Sequence, residues 1–344
     1  MKKVLIVFLG VVIVIGVVVA NILITTGFFR EINNSTNYEV IAEIPMKGAE
    51  DFTVDYEAGF MIISQDDRAA RLYSGGRSGN IYYLDLKTDK FEPIDLTPKL
   101  NIPLFPHGIS LLKLDSAHYQ LLVINHAKKH TIEKFELFGD SLVHIQTYED
   151  EAMISPNDVV AIDKDKFYFS NDHGSTSKTG VFFENYLGLR MSNVMFFDGD
   201  RYEKVVDGIA YANGVNISPD GSQLLLASPR DFELSYYDIE TDYSLTMNRK
   251  LEIGTGVDNI EFDPDGNVWI GCHPNLLEFA AYAKGDKPIS PSEIIQITRG
   301  DEIRSVFVDD GSRVSASTVA APYNDLLFVG TVMDDNLVVL RKKH

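Results

Sequence analysis

Hydrophobic and polar positions obey two different rules along this chain. From Val4 to Phe29 the sequence is almost continuously apolar, with Asn21, Thr25 and Thr26 as its polar breaks. A run of that length spans a bilayer as one helix. Lys2 and Lys3 precede it, which keeps the N-terminus cytoplasmic and places the rest outside. The competing expectation is a signal peptide with Val18-Val19-Ala20 as a weak cleavage site. The apolar run continues past Ala20, so a retained signal-anchor over residues 1–30 is the preferred expectation. Residues 31–39 are polar and read as a linker.

After residue 40 no helical periodicity of useful length appears, and short alternating runs separated by turn residues take over. The clearest unit is Asn213 to Ser228, in which Val215 and Ile217 alternate with polar neighbours, Pro219-Asp220-Gly221 turns, and Leu224 to Ala227 returns. Asp258 to Gly271 and Asn157 to Ser170 share the design, Glu50 to Ser64 and His107 to His126 are looser copies, and Ser317 to Gly330 is a sixth. Starting positions 50, 107, 157, 213, 258 and 317 lie 45 to 59 residues apart, the length of a four-stranded propeller blade. The expectation is an all-β chain, a six-bladed β-propeller over residues 40–344 with an N-terminal transmembrane helix. A β-sandwich gives no reason for so regular a period.

Five of the six units open on a polar pair: Glu50-Asp51, His107-Gly108, Asn157-Asp158, Asn213-Gly214 and Asp258-Asn259. If each first strand is the innermost of its blade, these openings gather at one mouth of the central channel. The second strand returns to that mouth. It should therefore bring His126, Asp172, His173 and His273 there too. His118, His130, His144 and His344 have no motif around them and read as surface or structural residues.

The chemistry of this constellation is that of a hard cation. Glu50, Asn157, Asn213, Asp258 and Asn259 offer carboxylate and amide oxygens, which suit Ca²⁺ in irregular geometry better than Mg²⁺ or zinc. Asp51 and Asp158 follow such residues directly and, by strand alternation, face the other way. They read either as a second, buried cation site or as caps of backbone amides or salt-bridge partners. His107 and His126 can approach each other, and one could activate water while the other orients it. No Gly-x-Ser-x-Gly elbow supports a serine triad. The net charge of −19 argues against nucleic acid. The single cysteine, Cys272, excludes an internal disulfide and reads as an apolar filler.

At these residues the chain resembles the paraoxonase/arylesterase family. The resemblance runs in order through Gly48 to Phe52, Pro106 to Ser110, Leu122 to His126, Asn157 to Ala161, Ser170 to His173, Ala212 to Gly221, Val257 to Asn259, Trp269 to Asn275 and Gly330 to Val332. It implies a six-bladed propeller with two calcium ions in the channel. Glu50, Asn157, Asn213, Asp258 and Asn259 would hold the catalytic one; Asp51, Asp158 and the carbonyl of Ile109 would hold the structural one. His107 and His126 match the family's histidine dyad. Calcium-dependent hydrolysis of small lipophilic lactones and aryl esters is implied, with a retained hydrophobic N-terminus as a membrane tie. The chain departs from the animal enzymes in two respects. One cysteine cannot make their disulfide, so closure of the ring is expected from Asp325 to Leu340 meeting Tyr38 to Ile44. Gln65 to Gly79 does not resemble their loop over the active site, which leaves substrate range open. The alternatives carried forward are a non-enzymatic, calcium-stabilised propeller that binds a ligand or protein, and a gluconolactonase-like sugar-lactone hydrolase.

Overall fold

The turn residues close hairpins where they stand. Gly221 takes φ +73° and its N–H donates to Ser218 O at 2.7 Å, sending Gln223–Ser228 back antiparallel to Val215–Ile217. Repeated around the molecule, this hairpin generates six antiparallel sheets in a computed structural model that describes residues 2–72 and 79–343. The innermost strands are Ala49–Asp55, Pro106–Lys113, Pro156–Asp163, Val215–Ile217, Gly256–Phe262 and Ser317–Tyr323. Each packs on the next, and the sixth packs on the first, so the sheets form the blades of a six-bladed β-propeller. Apolar clusters fill the seams between blades. Phe52, Met61 and Leu84 meet Phe328 and Val339 between blades 1 and 6, all at 0% exposure. At about 1.5–3 kcal/mol for each such side chain, the seams carry the fold without a disulfide. Cys272 is one of these buried fillers, and burial pushes its thiol well up.

The ring closes as expected. Tyr38–Pro45 pairs antiparallel with Asn336–Lys342 as the outer strand of blade 6, from Tyr38↔Lys342 to Pro45↔Asn336. The preceding segment, read as a polar linker, is structured too. Ser35–Thr36 adds to Ile303–Asp309 as a fifth strand of blade 5, and Arg30 pairs with Glu293 at 2.7 Å. The exposed outer edge of blade 5 offers unpaired backbone groups, and this polar stretch satisfies some of them.

No helical periodicity of useful length marks the region after residue 40, yet two short helices stand there. After the membrane-length helix α1 (Lys2–Thr25) come two short ones, α2 (Lys178–Leu187) and α3 (Leu276–Ala283). Ser177 caps α2, and Gly188 ends it at φ +65°; Asn275 caps α3 by accepting from Leu277 N and Glu278 N. Periodicity misses them because they are short, and because α3 is apolar on nearly every side. Both sit in the connections between second and third strands, at the mouth where the polar pairs open.

Four of those pairs are β-bulges. Register jumps between Ala49 and Asp51, Pro106 and Ile109, Pro156 and Val159, and Val257 and Ile260, so each opening holds one residue more than its partner strand. A bulge re-aims side chains that simple alternation would send apart. The two glycines have a steric cause. A Cβ on Gly214 would fall 2.5 Å from Asp258 O, and one on Gly108 would overlap the Asp158 carboxylate. The bulge of the next blade occupies that space.

Candidate active site and metal centre

Glu50 is 2% exposed and lies at the centre of the mouth. Asn259 Nδ2 donates to Glu50 Oε1 at 3.2 Å, Arg68 Nη2 reaches Oε2 at 3.5 Å, and His107 Nε2 lies 3.4 Å from Oε1. Burial alone would raise this carboxyl. The His107 and Arg68 charges and the hydrogen bonds from His107 and Asn259 outweigh it and hold Glu50 at about 2. Asp258 is pushed up by burial, with His273 Nε2 at 2.8 Å opposing the shift. Asn157 Nδ2 faces Asp172 Oδ2 at 3.4 Å.

The remaining oxygens of this group set it apart. Asn157 Oδ1, Asn213 Oδ1 and Asn259 Oδ1 are buried and have no hydrogen-bond partner. Each such oxygen costs about 1–3 kcal/mol if nothing satisfies it. Three of them beside two buried carboxylates fit a hard, oxygen-seeking cation. Among the described residues no group of three or more His, Cys, Asp and Glu side chains is arranged to hold a metal. A site here therefore depends on its amides.

Directly behind it, Asp51 and Asp158 are buried and engage backbone amides. Asp51 Oδ2 accepts from Ile109 N at 2.8 Å; Asp158 accepts from Val159 N and Val215 N, each at 2.7 Å. Burial pushes both carboxyls well up, and the Asp158 charge adds to the rise at Asp51. Of the sequence readings for these two residues, amide capping is present.

His107 Nδ1 lies 3.0 Å from His126 Nε2, so the expected pair forms. Burial drives His126 well below an ordinary imidazole, and the neighbouring His107 and His130 add to it. Glu50, His107, Asn157, Asn213, Asp258 and His273 line one cavity of about 440 Å³, while Asn259 stands behind Glu50. Asp172 and His173 lie at its edge: His173 Nδ1 is 2.6 Å from Asp172 Oδ1, and its Nε2 is 2.9 Å from Asn185 Oδ1. That pairing raises His173 to about 9 against the effect of burial. His118 and His144 face Glu136 and Glu133 respectively, as structural residues do. His344 lies outside the described residues.

A family model described as Arylesterase matches residues 43–339. Serum paraoxonase/arylesterase 2 of Rattus norvegicus is 34% identical over 76% of both chains. Serum paraoxonase/arylesterase 1 of Homo sapiens is 32% identical over 83% of this chain and 85% of that one. The chain belongs to the arylesterase family. Its activity class is therefore ester hydrolysis, which sets aside the non-enzymatic reading. In fold it is also similar to a candidate gluconolactonase, with a TM-score of 0.56 and 14% identity over 91% of this chain and 94% of that one.

Against this family background, several site residues were invisible in the sequence. Arg68 comes from the segment Gln65 to Gly79, of which residues 73–78 lie outside the described residues. Its short 3-10 helix, Arg68–Leu72, brings the guanidinium onto Glu50. Tyr211 lines the cavity at a strained φ of +66°. Leu276, Leu277, Phe279, Ala280 and Ala283 of α3 form an apolar wall. Thr26, at the end of α1, lines it as well, and Thr26 O accepts from Leu276 N at 2.9 Å. Arg230 Nη1 donates to Thr25 O at 2.7 Å, so the membrane-length helix ends docked on the mouth. No motif marks these positions; the nearest usable signal is the family-like run leading into Asn213.

Proposed function

We propose that this arylesterase hydrolyses lipophilic lactones and aryl esters at a calcium ion held by Glu50, Asn157, Asn213, Asp258 and Asn259. The observation that carries the reading is the set of three unpartnered, buried amide oxygens beside two carboxylates and an imidazole pair. When bound there, calcium supplies Lewis-acid polarisation of the substrate carbonyl. His107 Nε2 takes a proton from the attacking water, with its Nδ1–H held by His126 Nε2. The Glu50 carboxylate, 3.4 Å away, stabilises the imidazolium that results. The α3 wall receives the acyl chain and keeps bulk water out. That apolar wall favours lipophilic substrates over sugar lactones.

A second calcium between Asp51, Asp158 and the Ile109 carbonyl would offset the repulsion of two buried carboxylates. The helix α1 serves as a retained anchor with the propeller outside the cytoplasm. The docking of Thr25 and Thr26 on the mouth supports this, because it makes the end of the helix part of the folded domain. The test is a panel of phenyl acetate, γ-lactones, δ-lactones and acyl-homoserine lactones, with and without chelator. Turnover that chelator abolishes and calcium restores is expected. Full turnover in excess chelator would refute the calcium centre.

A further inference from the structure

The imidazole contacts do not stop at His126. Its Nδ1 lies 2.8 Å from Nδ1 of His130, while its Nε2 faces His107. The three rings meet edge to face, with centroids 5.2 and 4.9 Å apart. His107 lines the catalytic cavity, His126 is half-buried between the two spaces, and His126 and the exposed His130 both line a separate groove of about 690 Å³. The chain of rings thus joins the cavity to solvent by a second route.

The turn that carries it is firmly held. Residues 126–130 connect the second and third strands of blade 2, His118–Asn125 and Thr131–Phe138. Asn125 and Thr131, at the two ends, both donate to Glu133 Oε1, at 3.1 and 2.7 Å. Glu133 is 4% exposed, and His144 and Thr147 occupy its other oxygen.

Proton placement along the chain is self-consistent. Each nitrogen pair needs one shared proton. If His107 Nε2 is free to act as a base, its Nδ1–H donates to His126 Nε2. The His126 Nδ1–H then donates to His130 Nδ1, and His130 Nε2–H faces water.

We propose that His130 is the solvent-side member of a three-histidine relay that carries protons between the buried pair and bulk water. The inference rests on the hydrolytic reading above. Ester and water yield a carboxylate, an alcohol and one proton at neutral pH: the acyl C–O bond breaks, and a bond to the water oxygen forms. The alcohol keeps one proton of the water, and the other must leave. It enters at His107 Nε2. The Nδ1 proton of His107 moves to His126 Nε2, that of His126 Nδ1 moves to His130 Nδ1, and His130 Nε2 releases its proton to solvent. The charged groups facing His130 are Lys128 and Lys129 from its own turn, Glu149, Asp150 and Glu151 beyond blade 2, and Asp172 across the mouth. Lys129 is paired with Glu149, and against burial and the neighbouring His107 it is the Asp172 charge that favours an arriving proton at His130.

The experiment uses the full chain in detergent micelles, in weak buffer, with a lactone that the wild type turns over. His130→Gln and His130→Ala should lower kcat about five- to tenfold, with KM and calcium affinity unchanged. Added imidazole should restore most of the loss in His130→Ala. Unchanged kcat in both variants overturns the relay. So does a loss that imidazole does not rescue and that comes with a lower melting temperature, since that is a structural role. A wild type inactive on every ester would bring down the hydrolytic reading and the relay together, and that outcome is separate from a failure of the variants alone.

Discussion

Residues 50 and 51, and likewise 157 and 158, are sequence neighbours with opposite fates. Glu50 and Asn157 line the cavity, and Asn157 keeps an amide oxygen without a partner. Asp51 and Asp158 turn inward, and backbone amides of two blades occupy their oxygens. The outer set is poised for an exchangeable ligand. The inner set is stitched into the walls, where Asp158 reaches from blade 3 to Val215 of blade 4. Function and cohesion are thus divided between the two residues of a single bulge.

The contrast breaks most sharply at the outer set. Asp258→Ala or Asn213→Ala should lower kcat/KM by about 10³-fold or more while leaving the folded structure in place, because several kcal/mol of charge stabilisation go with the ion. Esterase assays beside circular dichroism check this. Comparable loss of structure would mean that the outer set also holds the fold. His107→Gln should cost about 10²-fold in kcat. Calcium affinity, measured by calorimetry, should stay near wild type, since the ring faces Glu50 without being one of the five oxygen donors proposed for the ion.

The inner set should respond through stability, with a sign that depends on the ion. Asp51→Asn removes one of two repelling buried carboxylates. In chelator it should leave the melting temperature unchanged or raise it; in calcium it should destabilise by about 2–3 kcal/mol. A loss of equal size in both conditions would mean that capping alone explains Asp51.

The smallest effect concerns the Asp172–His173 pair at the rim. The folded pKa of His173, about 9, lies above the ordinary imidazole value of 6.5. Its contribution is therefore complete below pH 6.5 and is lost as pH rises through about 9. His173→Gln should lower stability at pH 6 by no more than about 2 kcal/mol, and the difference from wild type should vanish above pH 9.5. Urea midpoints at the two pH values decide it.

Much of this was legible in the chain. The turn dipeptides and the even period carry the propeller, and alternation places Glu50 and Asp51 on different sides. Alternation alone does not place Asp258-Asn259, where Asp258 lines the cavity and Asn259 reaches Glu50 from behind it, across a bulge between Val257 and Ile260. A bulge leaves no mark in hydropathy. Arg68, Tyr211 and α3 reach the site through loops whose paths depend on long-range packing. His130 shows only a four-residue spacing from His126, which signals nothing until a tight turn folds the two rings together.

The outer strands of blades 5 and 6 carry a consequence for biosynthesis. Ser35–Thr36 and Tyr38–Pro45 are made well before their partners, Ile303–Asp309 and Asn336–Lys342. The growing chain keeps these two strands waiting through the synthesis of some 300 residues. A ribosome that stops before Asn336 leaves Tyr38–Pro45 with no partner and the ring open. Closure of the ring thereby waits on the strand Asn336–Lys342. A truncated product exposes an unpaired edge, the kind of surface that proteases and chaperones recognise.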